Sequence, residues 1–287
     1  MPLTPSDLPD EIRATVGEIR QLVLPPQGMT SEVAVVESRT GRCVVKRAWH
    51  PLYMRWLREE YRLLTALEPL SLPIPHPYQL VERTTSDGDE CWLVMSYLPG
   101  TTLAHTLDVE RDPDLREHIV RQWGAILRQI HATPAPPELA PRSATWLDER
   151  LQQARYNLAH HAVDGDDALL HSLEARRPPL VPQTLIHGEL YPSNVLVDPP
   201  RVCPVDWEMA AIGPGVIDLA ALCGGWETVA AARLTAAYGP VDASDLARAC
   251  LHLALQWLGW SAGWKPPPEH SHDWLGEALA LVRELDL

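Results

Sequence analysis

The chain has 287 residues, 46% of them hydrophobic and 22% charged, which excludes a disordered polypeptide and allows one large domain or two ordinary ones. A formal net charge of −14 argues against nucleic acid as the partner, because a binder has to neutralise phosphates. No apolar run reaches the roughly 18 residues of a membrane span; the start, MPLTPSDLPDEIR, is unlike a signal or transit peptide; and five scattered cysteines without a CxxC pair predict a reduced, cytoplasmic protein without a structural metal.

Residues 19–97 read as β-rich with one helix. Arg20–Leu24 and 32–38 have strand character, and 43–48 follows the turn at Thr40-Gly41. Pro51 suits a first helical turn, and Tyr53, Leu57, Tyr61, Leu64 and Leu67 recur at helical spacing. The proline-rich stretch 72–77 breaks that helix. Two more strands are expected near 78–82 and 90–97, joined by the polar turn Ser86-Asp87-Gly88-Asp89.

Beyond Pro99-Gly100 the pattern turns helical. Asp112-Pro113 is a helix start, and Leu115, Ile119, Trp123, Ile126, Leu127 and Ile130 trace one apolar face up to His131. Residues 145–176 read as one or two helices, followed by short strands at 184–187, 194–198 and 202–206. From Val216 onward the chain is again helical, with breaks at Gly239-Pro240 and at 265–268. The division expected is therefore 1–98, a small lobe, and 99–287, a larger, mostly helical one. Trp257, Trp260 and Trp264 share a helix face that reads as core.

Chemistry concentrates in LIHGELYPSNVL and PVDWE. Glu189 and Asn194 sit in a tight polar loop between apolar stretches, and Asp206 ends the next apolar strand. Such an acid–amide–acid set can orient a hydroxyl with one carboxylate while the amide oxygen and the other carboxylate hold Mg²⁺. The alternative is a pair of polar turns whose Asn and Asp satisfy local backbone. In the small lobe, Lys46 is one of only two lysines, with Lys265, among the 24 basic residues of the whole chain. Keeping Lys46 in a chain that otherwise uses arginine suggests a task for a compact ammonium. Glu60 falls inside the apolar helix stripe, where a carboxylate needs a partner. Lys46 on the preceding strand is the natural one; an unrelated surface ion pair is the alternative. No P-loop and no GxGxxG occurs. Gly28, Thr30 and Ser31 lie in a loop that reads either as a phosphate cover or as an ordinary hairpin loop.

HGELYPSNVLV followed by PVDWEMAAIGPGVIDLAAL resembles the aminoglycoside phosphotransferase and choline kinase family, relatives of the protein kinases, with the pattern H-G-D-x-x-x-x-N, then I/V-D-W/F-E, G-P and D-L-A. The resemblance runs from about residue 20 and implies an α+β, two-lobed protein-kinase-like fold. It implies transfer of phosphate from ATP, or GTP, to a hydroxyl of a small molecule. Asn194 and Asp206 match the metal ligands, and Lys46 with Glu60 matches the pair that places nucleotide phosphates. Glu189 stands where the family has its catalytic Asp, while His187 and Asp218 match residues that brace the catalytic loop. Met95, Ser96 and Leu98 match the segment facing the adenine, although Met95 reads equally as core. Glu189 is a departure, since an extra methylene moves the carboxylate by about 1 Å, enough to cost on the order of 10²-fold. It leaves open a pseudokinase that binds nucleotide without efficient transfer. A protein kinase fits less well, because little room for an activation loop separates Asp206 from Asp218 and no A-P-E follows. Residues 101–287 hold 25 acidic and 14 basic side chains, so a cationic or neutral acceptor is expected. Oligomeric state is not readable.

Overall fold

The structure is a computed structural model that describes residues 3–25, 30–139, 183–199, 201–223, 231–263 and 273–285. The chain divides into two compact units, Met1–Gly100 with Cys203–Met209, and Thr101–Val202 with Ala210–Leu287. Among the described residues, no helix is long and apolar enough to cross a membrane.

The first unit is built on a five-stranded antiparallel sheet of β1 (Ile19–Val23), β2 (Glu32–Ser38), β3 (Arg42–Ala48), β4 (Pro77–Thr85) and β5 (Gly88–Ser96), in the order β1-β2-β3-β5-β4. Strand side chains alternate between faces. Cys43, Val45, Trp92 and Val94 therefore share one face, where helix α1 (Asp10–Val16) covers them with Ile12 and Val16. Lys46, one residue on from Val45, points to the other face, toward helix α2 (Pro51–Leu67). Pro51 opens α2, and the His50 side chain accepts from the Leu52 N–H. The helix buries Met54, Leu57, Glu60, Leu63, Leu64 and Leu67. Tyr53 and Tyr61, expected in this stripe, are only half-buried at its margins. On the α1 face, burial alone would raise the carboxyl of Glu90, but hydrogen bonds from Arg47, Trp92 and Arg83 hold it below its usual range.

In the second unit, Thr102 caps helix α3 (Leu103–Val109) by accepting from the His105 N–H. Asp112 caps helix α4 (Pro113–Ala132) by accepting from the Asp114 N–H. Strand β6 (Thr101–Thr102) joins β8 (Val195–Asp198) and β9 (Arg201–Pro204) in a three-stranded sheet, and β7 (Gln183–Ile186) pairs antiparallel with β10 (Ala211–Pro214). Helices Val216–Cys223, Ala231–Tyr238, Ala243–Gly263 and Trp274–Glu284 follow. Trp123, Ile119 and Leu127 of α4 pack in one core with Leu190, Val195, Val197 and Leu251, and Trp257, read as core, is partly buried against it. The stretch read as helical at 145–176, the break at 265–268 and Trp264 lie outside the described residues, as does the side chain of Trp260.

Helix α4 and helix Ala231–Tyr238 touch at Gly124, where a methyl group would lie 2.6 Å from Cβ of Ala237 and 2.7 Å from its backbone carbon. Gly124→Ala gains about 1 kcal/mol of helix propensity. Forcing two helices apart costs more, so a net loss of about 1–3 kcal/mol is expected. Urea unfolding should show a lower midpoint with an unchanged slope; an equal or higher midpoint would contradict the close approach.

Candidate active site

The Lys46 ammonium donates to both carboxylate oxygens of Glu60, at 2.9 and 2.7 Å, and to Oδ1 of Asp206 at 2.6 Å. Glu60 is fully buried, and its Oε1 also accepts from the backbone N–H of Trp207 at 3.3 Å. Burial works against the Lys46 charge, but Asp206, Glu60 and Glu208 outweigh it and hold the ammonium well above the lysine range. For Glu60, burial is the dominant influence and raises its carboxyl, with Lys46 opposing it. The expected Lys46–Glu60 pair is thus present and internal.

Asp206 has a φ of 68°, in the left-handed region that non-glycine residues seldom occupy. Such backbone persists only when its surroundings over-determine it, and it gathers at functional sites. Here the surroundings are the Lys46 contact and the turn Trp207–Met209, whose fully buried Trp207 donates its indole N–H to the Pro204 carbonyl at 3.2 Å. Glu60, Asp206 and Glu208 each bring one carboxylate oxygen within 4.8 Å of the others. Three carboxylates against one ammonium make a hard-donor, cation-seeking cluster. Lys46 holds both carboxylate oxygens of Glu60, one of which also accepts from Trp207, but of Asp206 it holds Oδ1. Glu208 belonged to the sequence motif but carried no assigned role; its burial, with Thr30 donating to it at 3.4 Å, is what distinguishes it.

The HGE loop lies in the second unit and is organised by Asp218. That fully buried carboxylate accepts from the His187 N–H at 2.8 Å and from the Gly188 N–H at 2.9 Å. Gly188 has a φ of 86°, which a side chain would resist. Glu189 follows, half-buried, and its carbonyl accepts from the Asn194 side-chain amide at 3.0 Å. This bond orients Asn194 so that its oxygen is the acceptor end. Asn194 belongs to the second unit and Asp206 to the first.

Among the remaining expected residues, Gly28 lies outside the described residues, and Ser31 leads into β2. Met95 is buried in β5 opposite Val44. Ser96 uses its N–H on the His76 carbonyl at 2.8 Å, and its hydroxyl accepts the His76 N–H at 2.8 Å.

Removing one partner of a buried ion pair strands the other. Lys46→Met should therefore cost about 3–5 kcal/mol of stability, and adding Glu60→Leu should restore much of it. Chemical denaturation of the single and double variants checks this; equal stability for both would mean Glu60 is not confined as described.

The family model described as the phosphotransferase enzyme family matches residues 22–252. The aminoglycoside 3'-phosphotransferase of Streptomyces fradiae is 31% identical over 139 residues, covering 45% of this chain and 48% of that protein. The viomycin phosphotransferase of Streptomyces vinaceus is 29% identical over 181 residues, covering 56% and 59%. The chain thus spans about half the length of these curated relatives. The solved streptomycin–ATP–APH(2'')-IIa ternary complex superposes with a TM-score of 0.69 at 14% identity, covering 99% of this chain and 97% of that one, and so establishes a kinase-like fold. With the family model running through both the Lys46–Glu60 pair and the HGE loop, this chain belongs to the phosphotransferase enzyme family.

Proposed function

We propose that the protein transfers the terminal phosphoryl group of ATP, or GTP, to a hydroxyl of a small molecule. The observation that carries this reading is the Lys46 ammonium held at once by buried Glu60 and by Asp206 in its strained backbone conformation. A lysine fixed in this way presents a point charge to the α- and β-phosphates. The division into a nucleotide-binding lobe, 1–98, and a catalytic and acceptor-binding lobe, 99–287, belongs to the same reading, with Thr30, Ser31, Met95 and Leu98 on the nucleotide side.

The donor set fits Mg²⁺. Asn194 offers an amide oxygen and Asp206 a carboxylate, both hard ligands, and a cluster with surplus negative charge repels a polyphosphate unless a cation accompanies it. Asn194 and Asp206 would hold the ion, which when bound neutralises phosphate charge. Glu189 orients the acceptor hydroxyl and takes its proton late; His187 and Asp218 hold the loop that carries it. A loose transition state asks little of a base, so positioning and charge supply most of the rate. Glu189 in the place of the family Asp is compatible with this, because orientation depends on reach more than on basicity.

The acceptor is cationic or neutral, drawn by the acidic excess of residues 101–287. The names of the relatives make aminoglycosides and viomycin the first compounds to try. A nucleotide-using enzyme of this kind works in the cytoplasm, where five cysteines without a CxxC pair stay reduced.

The deciding experiment is a phosphotransfer screen of hydroxylated small molecules with ATP and with GTP, with and without EDTA. Turnover should require divalent cation. Asp206→Asn should abolish it and weaken Mg·ATP binding more than binding of metal-free nucleotide. Glu189→Gln should lower turnover roughly 10²–10⁴-fold with nucleotide affinity little changed. Tight Mg·ATP binding with no acceptor ever phosphorylated would instead establish a nucleotide-binding pseudokinase.

A further inference from the structure

Asp218 is itself held from behind. The Nε2 of His131 lies 3.1 Å from Asp218 Oδ2, the same oxygen that accepts from the His187 N–H. On the far side of the ring, His131 Nδ1 lies 2.8 Å from the Tyr238 hydroxyl, with the rings edge to face at 74°. The His131 side chain is 6% exposed and Asp218 fully buried, so water does not compete with these contacts.

The hydrogen-bonding roles follow from the acceptors. An ionised carboxylate only accepts, so Nε2 carries the proton facing Asp218. In the neutral ring Nδ1 then has to accept, and the Tyr238 hydroxyl is the group that donates to it. Burial, with the charge of Asp218 adding to it, pushes the Tyr238 phenol above its usual range and keeps that donor protonated.

Four separate features hold the parts in place. Gly215 passes so close that a methyl group there would lie 2.7 Å from His131 Nδ1. The Thr184 hydroxyl of β7 donates to the His131 carbonyl, tying the end of α4 to the strand that runs into His187. Arg128 of α4 donates to the carbonyls of Ala237 and Tyr238, which end their helix without intrahelical partners. Gly124 lets that helix seat against α4.

We propose that Tyr238 and His131 are positioning residues for Glu189: Tyr238 holds the His131 ring in place by donating to Nδ1, His131 holds Asp218 through Nε2–H, and Asp218 sets the backbone of His187 and Gly188 that immediately precedes Glu189. This rests on the reading of Glu189 as the carboxylate that orients the acceptor. The helix Ala231–Tyr238 is thereby coupled to the catalytic loop through Tyr238 and, on α4, His131.

The test uses the full chain with Mg·ATP as the probe, read as phosphate release, in wild type, Tyr238→Phe, His131→Gln, Glu189→Gln and the double variant Tyr238→Phe/Glu189→Gln. Tyr238→Phe keeps the ring and removes only the donor, so it serves if His131→Gln fails to fold. It should lower kcat about 10-fold and leave KM for Mg·ATP within about twofold, as a small displacement of a reacting group would. In the Glu189→Gln background the same change should cost less than about twofold, because groups acting as a unit are not additive. Imidazole ¹⁵N NMR should show His131 as the Nε2–H tautomer in wild type, and in Tyr238→Phe the same tautomer with the Nδ1 resonance moved by loss of its hydrogen-bond donor. Unchanged kcat in Tyr238→Phe alongside an impaired Glu189→Gln would overturn the positioning role, as would full additivity or an Nδ1–H ring in wild type. Wild-type turnover in Glu189→Gln would overturn the reading of Glu189 itself and this proposal with it.

Discussion

Glu60 has no exposed surface, and a carboxylate in that position has to be met by charge or by hydrogen-bond donors. Much of the first unit is arranged around that requirement. β3 must enter the sheet in the register that turns Lys46 toward α2 and leaves Val45 facing α1, because a slip of one residue would bury the ammonium among apolar side chains. α2 must rotate so that Glu60 joins the stripe of Leu57, Leu64 and Leu67. The turn Trp207–Met209 must bring its N–H to the same oxygen, and in doing so sets Asp206 into left-handed backbone against Lys46. A single buried charge thereby ties together segments separated by 160 positions in the chain.

The second unit solves a similar problem with the opposite donors. Asp218 is equally buried, but among the described residues its partners are backbone N–H groups and an imidazole rather than an ammonium. Backbone donors fix the path of a chain, whereas an ammonium on a flexible stem fixes a charge. The difference matches what each unit contributes to the proposed reaction, a point charge for phosphates from one and a shaped loop from the other. In both, a carboxylate that never meets solvent organises the groups around it.

Where the sequence was legible, a local signal was present. Pro51 and the period of the leucines reveal α2, Asp112-Pro113 reveals α4, and the alternation of 32–38 and 43–48 reveals β2 and β3. Glu60 was legible because a charge inside an apolar stripe is itself a local anomaly. β10 was not, because Ala-Ile-Gly-Pro reads as a turn, and only its pairing with β7 makes it a strand. α1 was hidden for the same reason, since its short apolar pattern acquires meaning only against the sheet face it covers. His131 and Tyr238 are 107 residues apart, and nothing near either one marks the contact. Glu208 sat inside a recognised motif, yet its burial and its proximity to Asp206 and Glu60 are properties of the folded turn.

The longer side chain at Glu189 is best understood from what surrounds it. The backbone there has little freedom, because His187 and Gly188 both donate to Asp218, Gly188 occupies a positive φ, and the Glu189 carbonyl is claimed by Asn194. A glutamate adds one rotatable bond to an aspartate, and ordering it costs a fraction of the roughly 1.5–2 kcal/mol of a long side chain. Where the backbone drifts, that freedom multiplies positional error. Where the backbone is clamped at three successive residues, the extra bond becomes reach, and a carboxylate can meet a hydroxyl that lies farther from the loop. Under the proposed role of Glu189, a rigid loop with a longer arm suits an acceptor held farther out than an aspartate would require. On that proposal, the reach of the carboxylate selects among acceptors as much as their charge does.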